Sequence, residues 1–225
     1  VTDFAPLLKN KKRLVMTLGG QYQEQMDLDF WFIVGTPPRN VMNFNQLWQG
    51  AGRAGDAPVS TILSDVRFNT QTLVATPGAA AYKMRSTITG HGSQGEFHQN
   101  GGMMFHSIRI DGTDQYTWYL NQNCGFNPII AQGGTWLTIR QGWCPGQASM
   151  LKELNLTPFL VPGNTHTIDY NISQPAVPNG DYRYIEAHQL VSYSGANRSL
   201  DARITDVIKP SNKVLYSKIN PICAA

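Results

Sequence analysis

Apolar and polar positions along this chain change over in short runs, cut by glycine, proline and asparagine, and the apolar period of an amphipathic helix is almost absent. That pattern predicts an all-β protein. The first two strands are expected at Arg13–Leu18 and Met26–Val34, where Met26-Asp27-Leu28-Asp29 alternates before Phe30-Trp31-Phe32-Ile33-Val34 becomes continuously apolar and runs toward a buried interface. Pro37-Pro38 stops it, because proline cannot donate to a ladder. Phe44–Asp56 is glycine-rich without a clear period and reads as a linker, with a domain boundary near Gly50–Ala57. Strands are then expected over Ser60–Thr70, Gln71–Val74, Ala80–Thr89 and Met104–Ile110. In the last of these, Phe105, Ser107 and Arg109 alternate with Met104, His106 and Ile110. Asp111-Gly112 signals a hairpin returning through Tyr116–Leu120. Ala148–Leu156, His166–Ile172 and Tyr182–Val191 follow, the last two expected to pair around the Gln-Pro-Ala-Val-Pro-Asn-Gly turn. About eight strands with long crossing loops predict an antiparallel jelly-roll sandwich. Ile204–Ile208 and Val214–Tyr216 are weak strand signals in an appended tail.

The organisation that follows is a partial first region, residues 1–52, a complete second region, 53–194, and an extension, 195–225. Residues 1–50 supply too few strands for a sandwich with its own core. They call for pairing with the second region or with chain preceding Val1.

Asn121–Gly146 is the densest stretch of chemistry. It holds two of the three cysteines, two of the five tryptophans and Arg140 among turn residues. Such a run suits a rigid loop at a binding face. A bridge from Cys124 to Cys144 would close about 20 residues and restrict the unfolded chain by ~3 kcal/mol. Two reduced, buried thiols are the other reading. Cys223 is then left over, as a free thiol or a partner for something else.

Composition narrows the function classes. Eighteen basic residues against fifteen acidic leave a net charge of +3, with no basic run longer than Lys11-Lys12-Arg13, so nucleic acid is not an expected partner. No apolar run approaches the ~18 residues of a membrane span. Charged residues make up only 15 %, in a chain rich in neutral polar residues, as is common in extracellular β-proteins, and a secreted, periplasmic or cell-surface location is expected. The chain starts at Val1 without a signal peptide, so it reads as beginning downstream of a true start. Asn155-Leu156-Thr157, Asn171-Ile172-Ser173 and Asn197-Arg198-Ser199 are glycosylation sequons that decide nothing by themselves.

Several pieces, in order, resemble the bacterial peptide:N-glycosidase F family. They are Val1-Thr2-Asp3-Phe4 with Leu7-Leu8, Asp29-Phe30 through Gly35-Thr36-Pro37, Arg85 through Gly90-His91-Gly92, His106-Ser107-Ile108, Cys124 with Asn127-Pro128, and Arg140 through Gly142-Trp143-Cys144-Pro145-Gly146. The last is the most specific, and the similarity runs over residues 1–194. The resemblance implies two side-by-side jelly rolls, the first truncated here, and a secreted amidase with a site in the cleft between them. The implied reaction is hydrolysis of the amide joining an asparagine side chain to the first N-acetylglucosamine of an N-glycan. It needs carboxylates to activate water and protonate the leaving amine, donors for the oxyanion, and neither metal nor cofactor.

The resemblance places the family's primary catalytic Asp before Val1. Counting back from His106 to its supporting Glu lands on Asn100, whereas an insertion within 99–103 moves that role to Glu96. Its interface acid falls at Gln25, beside Glu24. Glu96 and Glu24 are thus the catalytic candidates, Arg140, Trp143 and His91 the substrate-binding ones. Each has a bland counterpart: a loop Glu, a structural ion pair, a ring packed on a disulfide, a turn histidine. Implied partners are N-glycosylated proteins or peptides and the missing N-terminal segment. Absence of acids at Asn100 and Gln25 keeps open a non-catalytic glycan-binding or cell-surface homologue. A third reading, a copper- and ascorbate-dependent monooxygenase of the same architecture, draws on five histidines and seven methionines, but no His-x-His pair exists.

Overall fold

The alternation read from the sequence becomes two facing antiparallel sheets. The structure is a computed structural model and describes residues 2–13, 15, 29–32, 34–50, 56–98, 104–126, 138–177, 179–199, 201–208 and 213–219. In chain order the strands are β1 (Arg39–Gln49), β2 (Ala57–Pro58), β3 (Gln71–Val74), β4 (Ala81–His91), β5 (His106–Ile110), β6 (Thr113–Trp118), β7 (Gln122–Asn123), β8 (Ile139–Arg140), β9 (Leu151–Asn155), β10 (Thr165–Ile172), β11 (Arg183–Ala196), β12 (Asp201–Ile208) and β13 (Lys213–Ile219). One sheet runs β1-β11-β4-β9, with β2 also on β11; the facing sheet runs β3-β10-β5-β6. β7 pairs with β8, and β12 with β13. This is the all-β jelly-roll class that the pattern predicts.

Most expected strands appear, with boundaries moved by a few residues. The differences have physical causes. Ser60–Thr70 is not a strand: Val59–Leu63 forms a short helix, α1, that buries Val59 and Ile62 one turn apart, and Asp65 and Phe68 take positive φ in the turn after it. Phe44–Gln49, the beginning of the stretch read as linker, belongs to strand β1 and is hydrogen-bonded to β11. A register shift between Gln46 and Trp48 turns Trp48 into the core, where its indole donates to the Asn69 carbonyl. β10 and β11 do not pair with each other. They lie in opposite sheets, and the proline-containing turn between them crosses from one layer to the other. In the expected second strand, the described residues 29–32 and 34 are outside any strand, and Trp31, Phe32 and Val34 are exposed rather than interfacial. The expected strand at Arg13–Leu18 lies largely outside the described residues, as does most of the expected boundary at Gly50–Ala57.

β4 pairs along its full length with β11, Arg183 opposite His91 down to Tyr193 opposite Ala81. Side chains in each strand therefore alternate between the core and the outer face. Met84, Ile88, Tyr184 and Leu190 point inward with Ile108, Ile168 and Tyr170 of the facing sheet. The interior also holds ionisable groups. His188 lies between Ser86 Oγ at 3.0 Å and Glu186 Oε2 at 2.6 Å, all three buried. From the facing sheet, the Tyr170 hydroxyl meets His106 Nδ1 at 2.5 Å. Burial pushes Glu186 upward, against its bond to His188. Burial first, and the neighbouring His188 second, lower His106 from its ordinary 6.5 to about 3.

A pH dependence follows. Folded His106 stays neutral down to about pH 3, while the unfolded chain takes up a proton below its ordinary 6.5. The unfolded state then binds more protons between these limits, so stability falls as pH drops through that window, by about 2 kcal/mol from pH 8 to pH 5. Glu186, raised, acts in the opposite direction, so the comparison is with His106→Phe. Urea midpoints should fall with pH more steeply in the wild type than in the variant; equal slopes would return His106 to an ordinary proton affinity.

Candidate functional site

The outer row at the end of β4 carries Thr89 and His91, with Gly90 between them packed inward. The chain then turns sharply. Gly92 has φ +89° and packs so close to the Asp181 carbonyl that a Cβ would overlap it. The turn is closed by Glu96 N–H donating to the Gly92 carbonyl. Phe97 then forms an isolated antiparallel bridge with Arg140. Gln141 stitches the two segments together: its N–H donates to the Glu96 carbonyl at 3.0 Å, and its own carbonyl accepts from Gly90 N–H at 2.8 Å. Its side-chain oxygen accepts a hydrogen bond from the buried Tyr184 hydroxyl at 2.7 Å. Gly142, at φ +82°, lies against the Ile88 carbonyl where a Cβ would collide. These constraints bring residues forty positions apart into one cluster.

In that cluster Glu96 and Arg140 form an ion pair. The Arg140 guanidinium lies over the Trp143 ring, 4.4 Å from its centroid, and over Phe97 at 4.8 Å. His91 stacks on Trp143 with centroids 5.4 Å apart and planes 27° from parallel. Trp143 Nε1 donates to the Gly90 carbonyl at 2.9 Å, and His91 Nε2 meets Thr89 Oγ1 at 2.8 Å. Arg140 is 5 % exposed, while the Glu96 side chain keeps 28 % exposure. The guanidinium thus backs a carboxylate that solvent reaches. Burial lowers the proton affinity of Arg140, opposed by Glu96. Burial also lowers His91, with Asp56 opposing and Arg183 and Arg140 reinforcing the shift, so its imidazole is neutral at pH 7.

Four of the candidates named from the sequence, Glu96, Arg140, Trp143 and His91, therefore meet in one place. Glu24 lies outside the described residues, as do Gln25, Asn100 and Cys223. Cys124 and Cys144 are joined by a disulfide. Together with the Gln122–Arg140 and Asn123–Ile139 pairs, it pins both ends of the segment that presents Arg140 and Trp143.

Sequence reasoning missed Phe97, Gln141, Arg183 and Asp56. Phe97, directly after Glu96, could have been found as a ring beside an acid. Arg183 sits opposite His91 in register and joins Asp56 at 3.3 Å and Asp181 at 3.0 Å. Asp56 falls in the stretch that the sequence reads as linker, and sheet pairing brings it near His91. Its Oδ1 is shielded from solvent and has no hydrogen-bond partner among the described residues.

Among the described residues, no three His, Cys, Asp or Glu side chains converge to hold a metal ion. The histidines of the copper reading are committed elsewhere: His98 to the Leu120 carbonyl, His166 to Asp111, His106 to Tyr170, and His188 to Glu186 and Ser86. No helix among the described residues is long and apolar enough to cross a membrane.

The fold and cluster define a jelly-roll domain whose outer face holds an aromatic-sandwiched arginine paired to a carboxylate. Residues 60–191, more than half of the chain, match the family model described as Peptide-N-glycosidase F, C terminal, and the chain belongs to that family. Among solved structures, a peptide-N(4)-(N-acetyl-β-D-glucosaminyl)asparagine amidase is similar at 22 % identity over 72 % of this chain and 55 % of that one, with a TM-score of 0.62. PNGase F from Flavobacterium meningosepticum, described as a glycosylasparaginase, is similar at 22 % identity over 72 % and 55 %, TM-score 0.60. PNGF-II is similar at 21 % identity over 69 % of this chain and 30 % of that chain, TM-score 0.53. The chain thus spans about half the length of the first two, and at these identities the likeness shows the fold alone. No curated protein matches the chain.

Replacing both Cys124 and Cys144 by serine should lower unfolding free energy by ~3 kcal/mol, read from denaturant curves. Equal stability of the two proteins would show that the loop closes without the bridge.

Proposed function

We propose that the protein, as part of a longer polypeptide, hydrolyses the amide between an asparagine side chain and the first N-acetylglucosamine of N-glycans. Water adds to the amide carbonyl, the carbon–nitrogen bond breaks, and the products are an aspartate and a glycosylamine. The observation that carries the reading is the Glu96–Arg140 pair flanked by Trp143 and His91, in a chain of the peptide-N-glycosidase F family. Glu96 supplies a carboxylate for proton transfer at the reacting amide, and Arg140 holds it in orientation. Arg140 is a five-donor planar group suited to sugar or amide oxygens. Trp143 and His91 offer flat surfaces beside a sugar ring. Glu24 is a candidate for a second acid, and a primary acid would come from the other half of the protein. That half would dock where Phe30, Trp31, Phe32 and Val34 are exposed. The substrates are N-glycosylated proteins or peptides, met in a secreted, periplasmic or cell-surface setting.

A non-catalytic glycan-binding homologue is the second reading. It is favoured by the absence of acids at Gln25 and Asn100 and by the engagement of Glu96 with Arg140.

Mass spectrometry of a high-mannose glycopeptide incubated with the full-length protein separates the two. Loss of glycan with conversion of Asn to Asp is expected; glycopeptide retained unhydrolysed would favour the binding homologue. Glu96→Gln should lower turnover by about 100-fold or more, and unchanged turnover would remove Glu96 from the site. Residues 1–225 alone should release no glycan, because half of the site is proposed to lie elsewhere; release by this fragment would overturn that division.

A further inference from the structure

The outer face of the β3-β10-β5-β6 sheet carries a second constellation, made of residues other than Glu96 and Arg140. Phe105 and Tyr119 flank the His106–Trp118 pair at one end of β5 and β6. His106 and Trp118 point into the core, so alternation turns Phe105 and Tyr119 outward, 48 % and 41 % exposed. Their rings meet edge to face with centroids 5.3 Å apart. The Phe105 backbone is clamped: its N–H donates to Ser173 Oγ at 2.9 Å, and its carbonyl accepts from Ser173 N–H at 2.8 Å. Single exposed apolar residues are ordinary on a surface. Two aromatic rings held edge to face on a pinned backbone are pre-ordered, with little entropy left to lose.

The next outward row, ~7 Å further along the strands, is set by β geometry. It holds Asn171, Ser107 and Thr117, paired across three strands. In the row beyond, Arg109 binds Asp114 at 3.0 Å, and Asp169 accepts from Asn171 of the row before. A pyranose ring stacks its carbon–hydrogen face on aromatic planes and offers hydroxyls at its rim. Anionic ligands find no unpaired cation in these rows. Lipid finds only two rings, bordered by polar side chains. We propose that this face is a second carbohydrate-binding surface, taking a neutral oligosaccharide with one sugar on Phe105 and Tyr119 and the next on Asn171, Ser107 and Thr117. The inference stands apart from the amidase reading: a protein inactive on glycopeptides could bind sugar here, and an active one could fail to.

The test uses the full-length protein with chitotriose and mannotriose as probes, read by calorimetry and by saturation-transfer NMR. Saturable binding of at least one trisaccharide is expected. Phe105→Ala and Tyr119→Ala should each weaken it about fivefold or more, as loss of a stacked ring implies. Arg140→Ala should leave it intact. If either alanine variant loses its fold, Ser107→Trp fills the polar row from an outward position and should block binding equally. The inference is overturned by no saturable binding up to about 10 mM. It is also overturned if binding is lost in Arg140→Ala but kept in Tyr119→Ala, or if the aromatic substitutions change self-association alone in sedimentation.

Discussion

The pairing of β4 with β11 is the constraint on which the rest depends. Because every Cα of Ala81–His91 has a partner in β11, one register decides at once which side chains enter the core and which reach the outer face. A slip of one residue would exchange the two sets. Met84, Ser86 and Ile88 would come out, and Lys83, Arg85, Thr87 and Thr89 would go in. The hydrophobic side chains make that exchange costly, and the cost is what holds His91 in line with Arg183 at the end where the site forms.

The same register gathers polar groups inside. Glu186, His188 and Ser86 share the inward row, and Tyr170 and His106 face them from the opposite sheet. A buried carboxylate is expensive unless its bonds are made, and removing one partner leaves the other charge uncompensated. The group is therefore better understood as fixing how the two sheets face each other than as a source of net stability. The outer face shows the complementary arrangement near the chain start. Asp3 accepts from the Tyr193 hydroxyl at 2.6 Å and meets Lys83 and Arg85 at 3.1 Å, while Phe4 packs on Phe44. Burial pushes Asp3 upward, but these bonds outweigh it and hold its carboxyl below the ordinary range.

The candidate site is built on elements that are rigid for separate reasons. β4 is central in its sheet. The Cys124–Cys144 bridge and the short β7–β8 ladder hold the second segment. Gln141 ties both to Tyr184 in the core. Arg140 consequently cannot reorient without breaking aromatic contacts on Phe97 and Trp143 as well as its ion pair. This is preorganisation of the kind that acid–base and electrostatic chemistry require.

The sequence by itself determined the all-β class, most strand positions, the disulfide-bearing loop and four of the residues that meet at the site. It could do so because period-two alternation, turn residues and a short specific motif are local signals. It did not determine that Ser60–Thr70 would start as a helix, that Phe44 lies inside a long paired strand, or that β10 and β11 belong to opposite sheets. Those outcomes depend on partners more than a hundred residues away for β1 and β11, and on a crossing turn whose sequence looks the same whether its strands pair or part. Asp56, Gln141 and Arg183 were invisible as site residues for the same reason. Their places come from cross-strand register and from backbone bonds between Glu96, Gln141 and Gly90, and only tertiary pairing creates these.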